Sequence, residues 1–95
     1  MEDLLKVIAS EKKPHLGLKE VRKNLKGLKL VIYSRDLTES QKKELKSGEA
    51  TALEFNGSPY ALGRAIGRNH PVKAIGVKSL SERAELELKR VMQGA

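Results

Sequence analysis

The sequence has no cysteine, only two histidines and only three aromatic residues. A chain without cysteine has no disulfide, no thiolate metal site and no cysteine nucleophile. With only His15 and His70 to supply imidazole, a zinc site would have to depend on carboxylates. The apolar runs also fall well short of the ~20 residues that a membrane-spanning helix needs. We therefore expect neither a metal site nor a membrane partner.

Few groups are arranged as a catalytic or cofactor site would need. Asp36 follows a predicted strand, but no paired carboxylate or histidine accompanies it in the sequence. The glycines around the fourth predicted helix spell neither the dinucleotide fingerprint nor the P-loop. Gly63 and Gly67 are better explained by close packing of that helix against a neighbour, and His70 by a place in a surface loop. We expect no catalytic residue, no cofactor and, with so few aromatic residues, no base-stacking platform of the single-strand-binding kind.

What the sequence has in excess is positive charge. Its 95 residues carry 19 Lys and Arg against 12 Asp and Glu, a net charge of +7 and a pI near 9.8. This length supports one modest core, so we expect a single domain over residues 1–95. The acidic start lacks the charged-then-apolar order of a signal peptide, which predicts a cytoplasmic protein. A surplus of this size on so small a body favours a polyanionic partner, most often nucleic acid.

The positive charge is concentrated in two stretches that contain almost no acid. A solvated face rich in lysine is the usual explanation of a single charged run. Two such stretches instead favour a polarised surface that meets a polyanion. The basic residues of the first stretch are Lys12, Lys13, Lys19, Arg22, Lys23, Lys26 and Lys29, with Glu20 as the one acid, and those of the second are Arg64, Arg68, Lys73 and Lys78.

Hydrophobic periodicity predicts helices and strands that alternate along the chain. The apolar run from Leu30 to Tyr33 suits a central strand that is covered on both faces. The alternating order predicts an α/β fold, a three-layer α/β/α sandwich with a small mixed central sheet. The predicted helices cover residues 3–9, 18–25, 39–46, a segment that begins at 59 and a last segment that ends near 92; the predicted strands cover 29–34, 51–55 and 72–78, after a brief extended piece at Leu16.

Local signals mark the ends of several predicted helices. Lys12-Lys13-Pro14 should end the first helix, because a residue before proline is disfavoured in helical geometry. Gly27 is the predicted C-terminal cap of the second helix. The predicted N-terminal caps are Thr38, which forms a capping box with Gln41, Ser58, which is followed by Pro59 at the first helical position, and Ser79, which pairs with Glu82.

The second predicted helix has two different faces. Leu18, Val21 and Leu25 recur at helical spacing and predict a buried stripe. A basic stripe lies beside it and consists of Lys19, Arg22, Lys23 and Lys26. One helix would therefore pack on the core and offer a cationic flank to a partner.

Three stretches, residues 16–23, 29–36 and 57–68 running into 72–75, have a recognisable order and spacing. Together they resemble the ribosomal L-seven-A-e / L-thirty-e superfamily of RNA-binding proteins, of which the Leu-Gly-x-Ala-x-Gly helix from Leu62 to Gly67 is the most specific sign. Lys19 makes the chain more similar to the L-thirty-e branch. The resemblance implies an α/β/α sandwich that binds kink-turns, which are RNA stems sharply bent at an internal loop. It also implies an archaeal-like ribosomal protein of the large subunit, or a paralogue in a ribonucleoprotein.

The resemblance also implies which residues contact RNA. Gly17, at the turn before the second helix, would let the backbone approach the RNA, and the polar residues after it would read base edges. Loops after the central strand and before the last strand would add further contacts. The predicted RNA-binding residues are Gly17, Leu18, Lys19, Glu20, Arg22, Lys23, Lys26, Ser34, Arg35, Asp36, Arg68, Asn69, His70, Pro71 and Val72.

Three functions remain open at this point. The first is a protein that binds structured RNA, with other ribonucleoprotein proteins as further partners. The second is a protein–protein adaptor on the same fold that has lost RNA binding, in which the charge serves solubility. The third, a small hydrolase or transferase, lacks a convergent acid–base set. The basic residues around Gly17 favour the first over the second.

Overall fold

The computed structural model describes residues 1–10 and 14–94. The predicted helix end at Lys12 and Lys13 lies outside the described residues. Along the chain the elements are α1 (Glu2–Ser10), β1 (His15–Leu16), α2 (Leu18–Lys23), a 3₁₀ turn (Leu25–Gly27), β2 (Leu30–Ser34), α3 (Glu39–Lys46), β3 (Thr51–Phe55), α4 (Pro59–Ala65), β4 (Ala74–Val77) and α5 (Glu82–Gln93).

The four strands form one mixed sheet in the order β1-β4-β2-β3. β2 runs parallel to β3, with Leu30 opposite Thr51, and antiparallel to β4, with Tyr33 opposite Ala74. β1 is antiparallel to β4. As its continuous apolar run predicts, β2 lies inside the sheet and is buried at all of its positions.

Alternate residues of β2 supply two separate cores. Leu30 and Ile32 pack into a cluster that also contains apolar residues of α1, α4 and α5. Val31 and Tyr33 pack into a second cluster that contains Val21 of α2 and Leu45 of α3. Helices therefore cover both faces of the sheet, and the predicted three-layer sandwich is confirmed. Each fully buried aliphatic side chain of these clusters contributes on the order of 2 kcal/mol.

α2 is shorter than its apolar spacing predicts. It ends at Lys23, with Asn24 as its C-cap, and the chain tightens into the 3₁₀ turn. The Asn24 side chain donates a hydrogen bond to the Glu20 carbonyl at 2.9 Å, which competes with continuation of the helix. The prediction of Gly27 as the cap is wrong, because positive φ among the described glycines occurs only at Gly17 and Gly67.

The cap of α5 also differs from the prediction. Ser81, not Ser79, accepts a hydrogen bond from the Ala84 N–H at 3.1 Å. The capping-box spacing to Glu82 favours Ser79. Ser81 instead has Ala84 at the equivalent position and caps the helix without a box. Leu80 packs against the first core from the stretch that precedes the helix. The helix therefore begins after Leu80.

α4 begins and ends as local chemistry dictates. Ser58 caps it through the Ala61 N–H, and Pro59 stands at its first position, as predicted. At its end Gly67 adopts φ +77°, its N–H bonds to the Arg64 carbonyl, and the Arg68 N–H bonds to the Gly63 carbonyl. These bonds form a Schellman motif. The prediction of close packing is therefore confirmed for Gly63, which lies against the His70 backbone, and wrong for Gly67.

α3 is fixed to the outer strand of the sheet by charge. Thr38 and Gln41 form the predicted capping box at its start. The Lys42 ammonium lies 2.9 Å from the Glu54 carboxylate on β3, and this hydrogen bond raises the pKa of Lys42. Within the described ranges, no helix has the length and apolar character needed to span a membrane.

Candidate nucleic-acid interface

Three predicted contact regions meet at one end of the sheet. β1, β2 and β3 end there and β4 begins there, because β4 runs against its neighbours. The Gly17 N–H donates to the Ala74 carbonyl and the Ser34 N–H to the Lys73 carbonyl, both at 2.8 Å. The Arg35 N–H donates to the Gly57 carbonyl at 3.2 Å. We call this the loop end and define it as residues 16–19, 34–36, 56–60 and 70–73.

Gly17 is the N-cap of α2 and has φ 98° and ψ 148°. These angles lie close to a region that only glycine populates readily. Its carbonyl accepts the first helical hydrogen bond, from the Val21 N–H at 3.0 Å. A Cβ added at Gly17 would meet no protein atom within 4 Å. The glycine therefore satisfies a backbone requirement and also leaves the backbone surface open for a ligand.

The polar residues of α2 fall into two groups. Lys19, Glu20 and Lys23 are exposed, and no ion pair within residues 1–10 and 14–94 involves Lys19 or Lys23. Arg22 instead bonds to Glu44 of α3 at 2.8 Å, so it braces two helices. Leu18, also a predicted contact, is half-buried and packs on the second core.

The loop after β2 is held by its own side chains. Ser34 is completely buried, and its hydroxyl donates to the Asp36 carboxylate at 2.6 Å. Ser34 therefore shapes the loop, whereas Arg35 and Asp36 are exposed. The Arg35 guanidinium donates to the Asn56 side-chain oxygen at 3.1 Å. Asn56 belongs to the turn after β3, a fourth loop that the sequence prediction did not include.

The loop before β4 returns along α4. Its exposed members at the loop end are His70, Pro71 and Lys73, while Val72 is buried and its N–H donates to the Pro59 carbonyl at 2.9 Å. Lys73 was not among the predicted contacts, although it adjoins them in an acid-free stretch. Arg68 and Asn69 are also exposed but lie beyond the other end of α4.

Lys26 lies away from the loop end. α2 runs from Gly17 toward the opposite end of the sheet, where Lys78 follows β4. A groove of about 470 Å³ lies there, lined by Arg22, Lys23, Asn24, Leu25, Lys26, Gly27 and Lys78. The basic flank of α2 therefore extends from the loop end to this groove.

Tyr60 is a surface residue of the loop end that the sequence prediction missed. It is the second residue of α4, and 65% of it is exposed. It lies outside the buried stripe that Leu62 and Ile66 form. An aromatic residue off the apolar stripe, directly after a Ser-Pro helix start, is the signal that could have identified it.

Within the described part of the chain, no group of three or more His, Asp or Glu side chains is placed to hold a metal ion. The observed class is thus a three-layer α/β/α sandwich whose loops converge on a largely basic surface.

The fold is found in solved structures of other proteins. A protein with unknown function from Bacillus halodurans C is 26% identical, with a TM-score of 0.73 over 97% of this chain and 95% of that chain. The Giardia lamblia 15.5kD RNA binding protein is 20% identical, with a TM-score of 0.74 over 97% of this chain and 82% of that chain. No family model and no curated protein sequence matches the chain.

Proposed function

We propose that the protein binds structured RNA through the loop end and recognises a kink-turn, as a member of the ribosomal L-seven-A-e / L-thirty-e superfamily. The observation that carries the proposal is the convergence of Gly17 with the loops before β4 and after β2. We further propose that it acts in a cytoplasmic ribonucleoprotein, either as a large-subunit ribosomal protein or as a paralogue.

The chemistry of the loop end suits RNA. Lys19, Arg35 and Lys73 are exposed cations that can contact phosphates or the acceptor atoms of guanine. Asp36 at the loop end, and Glu20 directly after it on α2, are exposed acceptors for base amino groups. Opposite charges on one surface are more useful for reading base edges than for holding a uniform polyanion.

The shape of the loop end favours irregular RNA over a plain duplex. The deep major groove of A-form RNA does not admit side chains, so proteins read sequence where bases are unstacked or a stem is bent. The open backbone at Gly17 permits such a close approach. The similarity in fold to an RNA-binding protein from Giardia lamblia also supports the proposal that the chain binds RNA.

We expect the protein to bind a kink-turn stem–loop much more tightly than a plain RNA duplex of equal length. Both affinities should fall as salt rises, because phosphate contacts release counterions. Titrations of both RNAs at several salt concentrations measure this. Equal affinity for both RNAs at about 150 mM salt would mean that the protein binds RNA only as a nonspecific polycation. No binding to either RNA would favour the adaptor hypothesis.

Two lysines of the α2 flank should have different effects on RNA binding. Lys19→Ala, at the loop end, should cost about 1–3 kcal/mol of binding free energy for the kink-turn. It should also reduce the difference in affinity between the kink-turn and a mutated RNA. Lys26→Ala, beside the distant groove, should weaken the binding of all RNAs by a similar factor. It should also reduce the slope of log affinity against log salt concentration by about one. Both lysines are exposed, so neither change should alter stability.

The comparison requires titrations of both variants against kink-turn, mutated and duplex RNA. Lys89→Ala on α5 is a matched control, since it removes one exposed charge elsewhere. If Lys19→Ala and Lys26→Ala reduced binding to every RNA by the same factor, α2 would contain no base-reading end.

A further inference from the structure

Tyr60 is an aromatic residue of which 65% is exposed on the surface of the loop end. The other aromatic residues are sheltered: Tyr33 is 2% exposed and belongs to the second core, and Phe55 packs against the first. Single exposed apolar side chains are common on protein surfaces. Leu86 and Met92 on α5 are such residues. Tyr60 differs from them because it lies within the loop end.

The backbone around Tyr60 is fixed to two of the converging loops. The carbonyl of Gly57 accepts the Arg35 N–H, and the carbonyl of Pro59 accepts the Val72 N–H. The Ser58 hydroxyl caps the helix by accepting the Ala61 N–H at 3.2 Å. Three hydrogen bonds thus hold the turn that presents the Tyr60 ring. A fixed backbone lowers the entropic cost of using the ring to bind a ligand.

The surroundings of Tyr60 point to the ligand chemistry. Cations at the loop end supply phosphate contacts, and apart from the smaller imidazole of His70 none of its other exposed side chains has an aromatic face. A tyrosine ring has such a face, on which any unpaired base can stack. We propose, on the basis of the RNA-binding function argued above, that Tyr60 stacks on an unpaired base in the internal loop of the bound RNA.

Substitutions at Tyr60 separate stacking from other roles. Tyr60→Ala should weaken binding of a kink-turn stem–loop about 10-fold, the effect typical of losing one stacked base. Tyr60→Phe keeps the ring and should bind like the parent. Leu86→Ala, which truncates an exposed apolar residue on α5, should change nothing. If Tyr60→Phe lost as much affinity as Tyr60→Ala, a hydroxyl contact would replace stacking as the role of Tyr60.

An RNA with an abasic site at each unpaired position in turn locates the partner base. At the stacked position, removal of the base should weaken the parent about 10-fold. It should have little further effect on Tyr60→Ala, because the two changes remove the same interaction. If the losses in affinity from the abasic site and from Tyr60→Ala were fully additive at every unpaired position, the stacking proposal would be wrong.

Tyrosine fluorescence gives a readout that does not depend on affinity. In a Tyr33→Phe background the chain has one tyrosine and no tryptophan, so the emission reports Tyr60 alone. We expect quenching by kink-turn RNA at saturation. Selective kink-turn binding by Tyr33→Phe, with its Tyr60 emission unchanged, would refute stacking and leave the proposed function intact. If neither the parent nor Tyr33→Phe preferred the kink-turn, both the stacking and the proposed function would be refuted.

Discussion

Gly17→Val should abolish selective RNA binding in molecules that remain folded. The new side chain would project into the open space beside the loop end, where the proposed RNA backbone approaches. It would also strain the backbone, because a β-branched residue strongly disfavours a φ of 98°. We expect a loss of about 1–3 kcal/mol in the free energy of unfolding. Circular dichroism melting, with RNA titration well below the melting temperature, measures both effects.

Gly67→Val is the matched control for backbone strain. Gly67 also has positive φ, and a Cβ there would likewise meet no protein atom within 4 Å. It lies at the end of α4, roughly 10 Å along the helix from Pro59. We expect similar destabilisation with RNA binding retained. If folded Gly17→Val bound RNA like the parent, the interface would have to lie away from the loop end.

Most of the fold follows from local signals in the sequence. The buried run of β2, the capping box at Thr38 and the Ser-Pro start of α4 each have one dominant physical explanation, and the structure confirms them. The structure differs from the sequence prediction where two neighbouring residues could each cap the same helix. Ser79 and Ser81 both suit an N-cap, and tertiary packing of Leu80 decides between them.

The composition of the loop end was harder to predict than the elements. Which loops meet depends on strand order and direction, and neither is encoded in the alternation of helices and strands. β4 inserts between β1 and β2, and this brings Lys73 beside Ser34 and Ala74 beside Gly17. The burial of Ser34 and Val72 is a consequence of the same packing. The family resemblance predicts which loops contact RNA. Only the packed structure separates the buried residues that support these loops from the exposed ones that a ligand can reach.

Gly63 connects the stability of the sandwich to the shape of the loop end. It is a buried position inside α4, and a Cβ there would overlap the backbone carbonyl oxygen of His70. A backbone atom cannot turn away as the tip of a flexible side chain can. His70 and Pro71 belong to the loop before β4, whose Val72 N–H is bonded to the start of the same helix. Any room made for a methyl group must therefore come from movement of that loop.

Gly63→Ala tests this connection by the sign of its effect. Helix propensity alone predicts stabilisation of up to about 1 kcal/mol, since alanine is favoured over glycine in a helix interior. The overlap with His70 predicts the opposite, a loss of about 1–3 kcal/mol. Chemical denaturation of Gly63→Ala measures the change, and Arg64→Ala against Arg64→Gly calibrates propensity at an exposed site of the same helix. We expect destabilisation together with weaker kink-turn binding below the melting temperature, because the displaced loop no longer matches the RNA. Stabilisation would mean that α4 and the His70 backbone are not in close contact in solution.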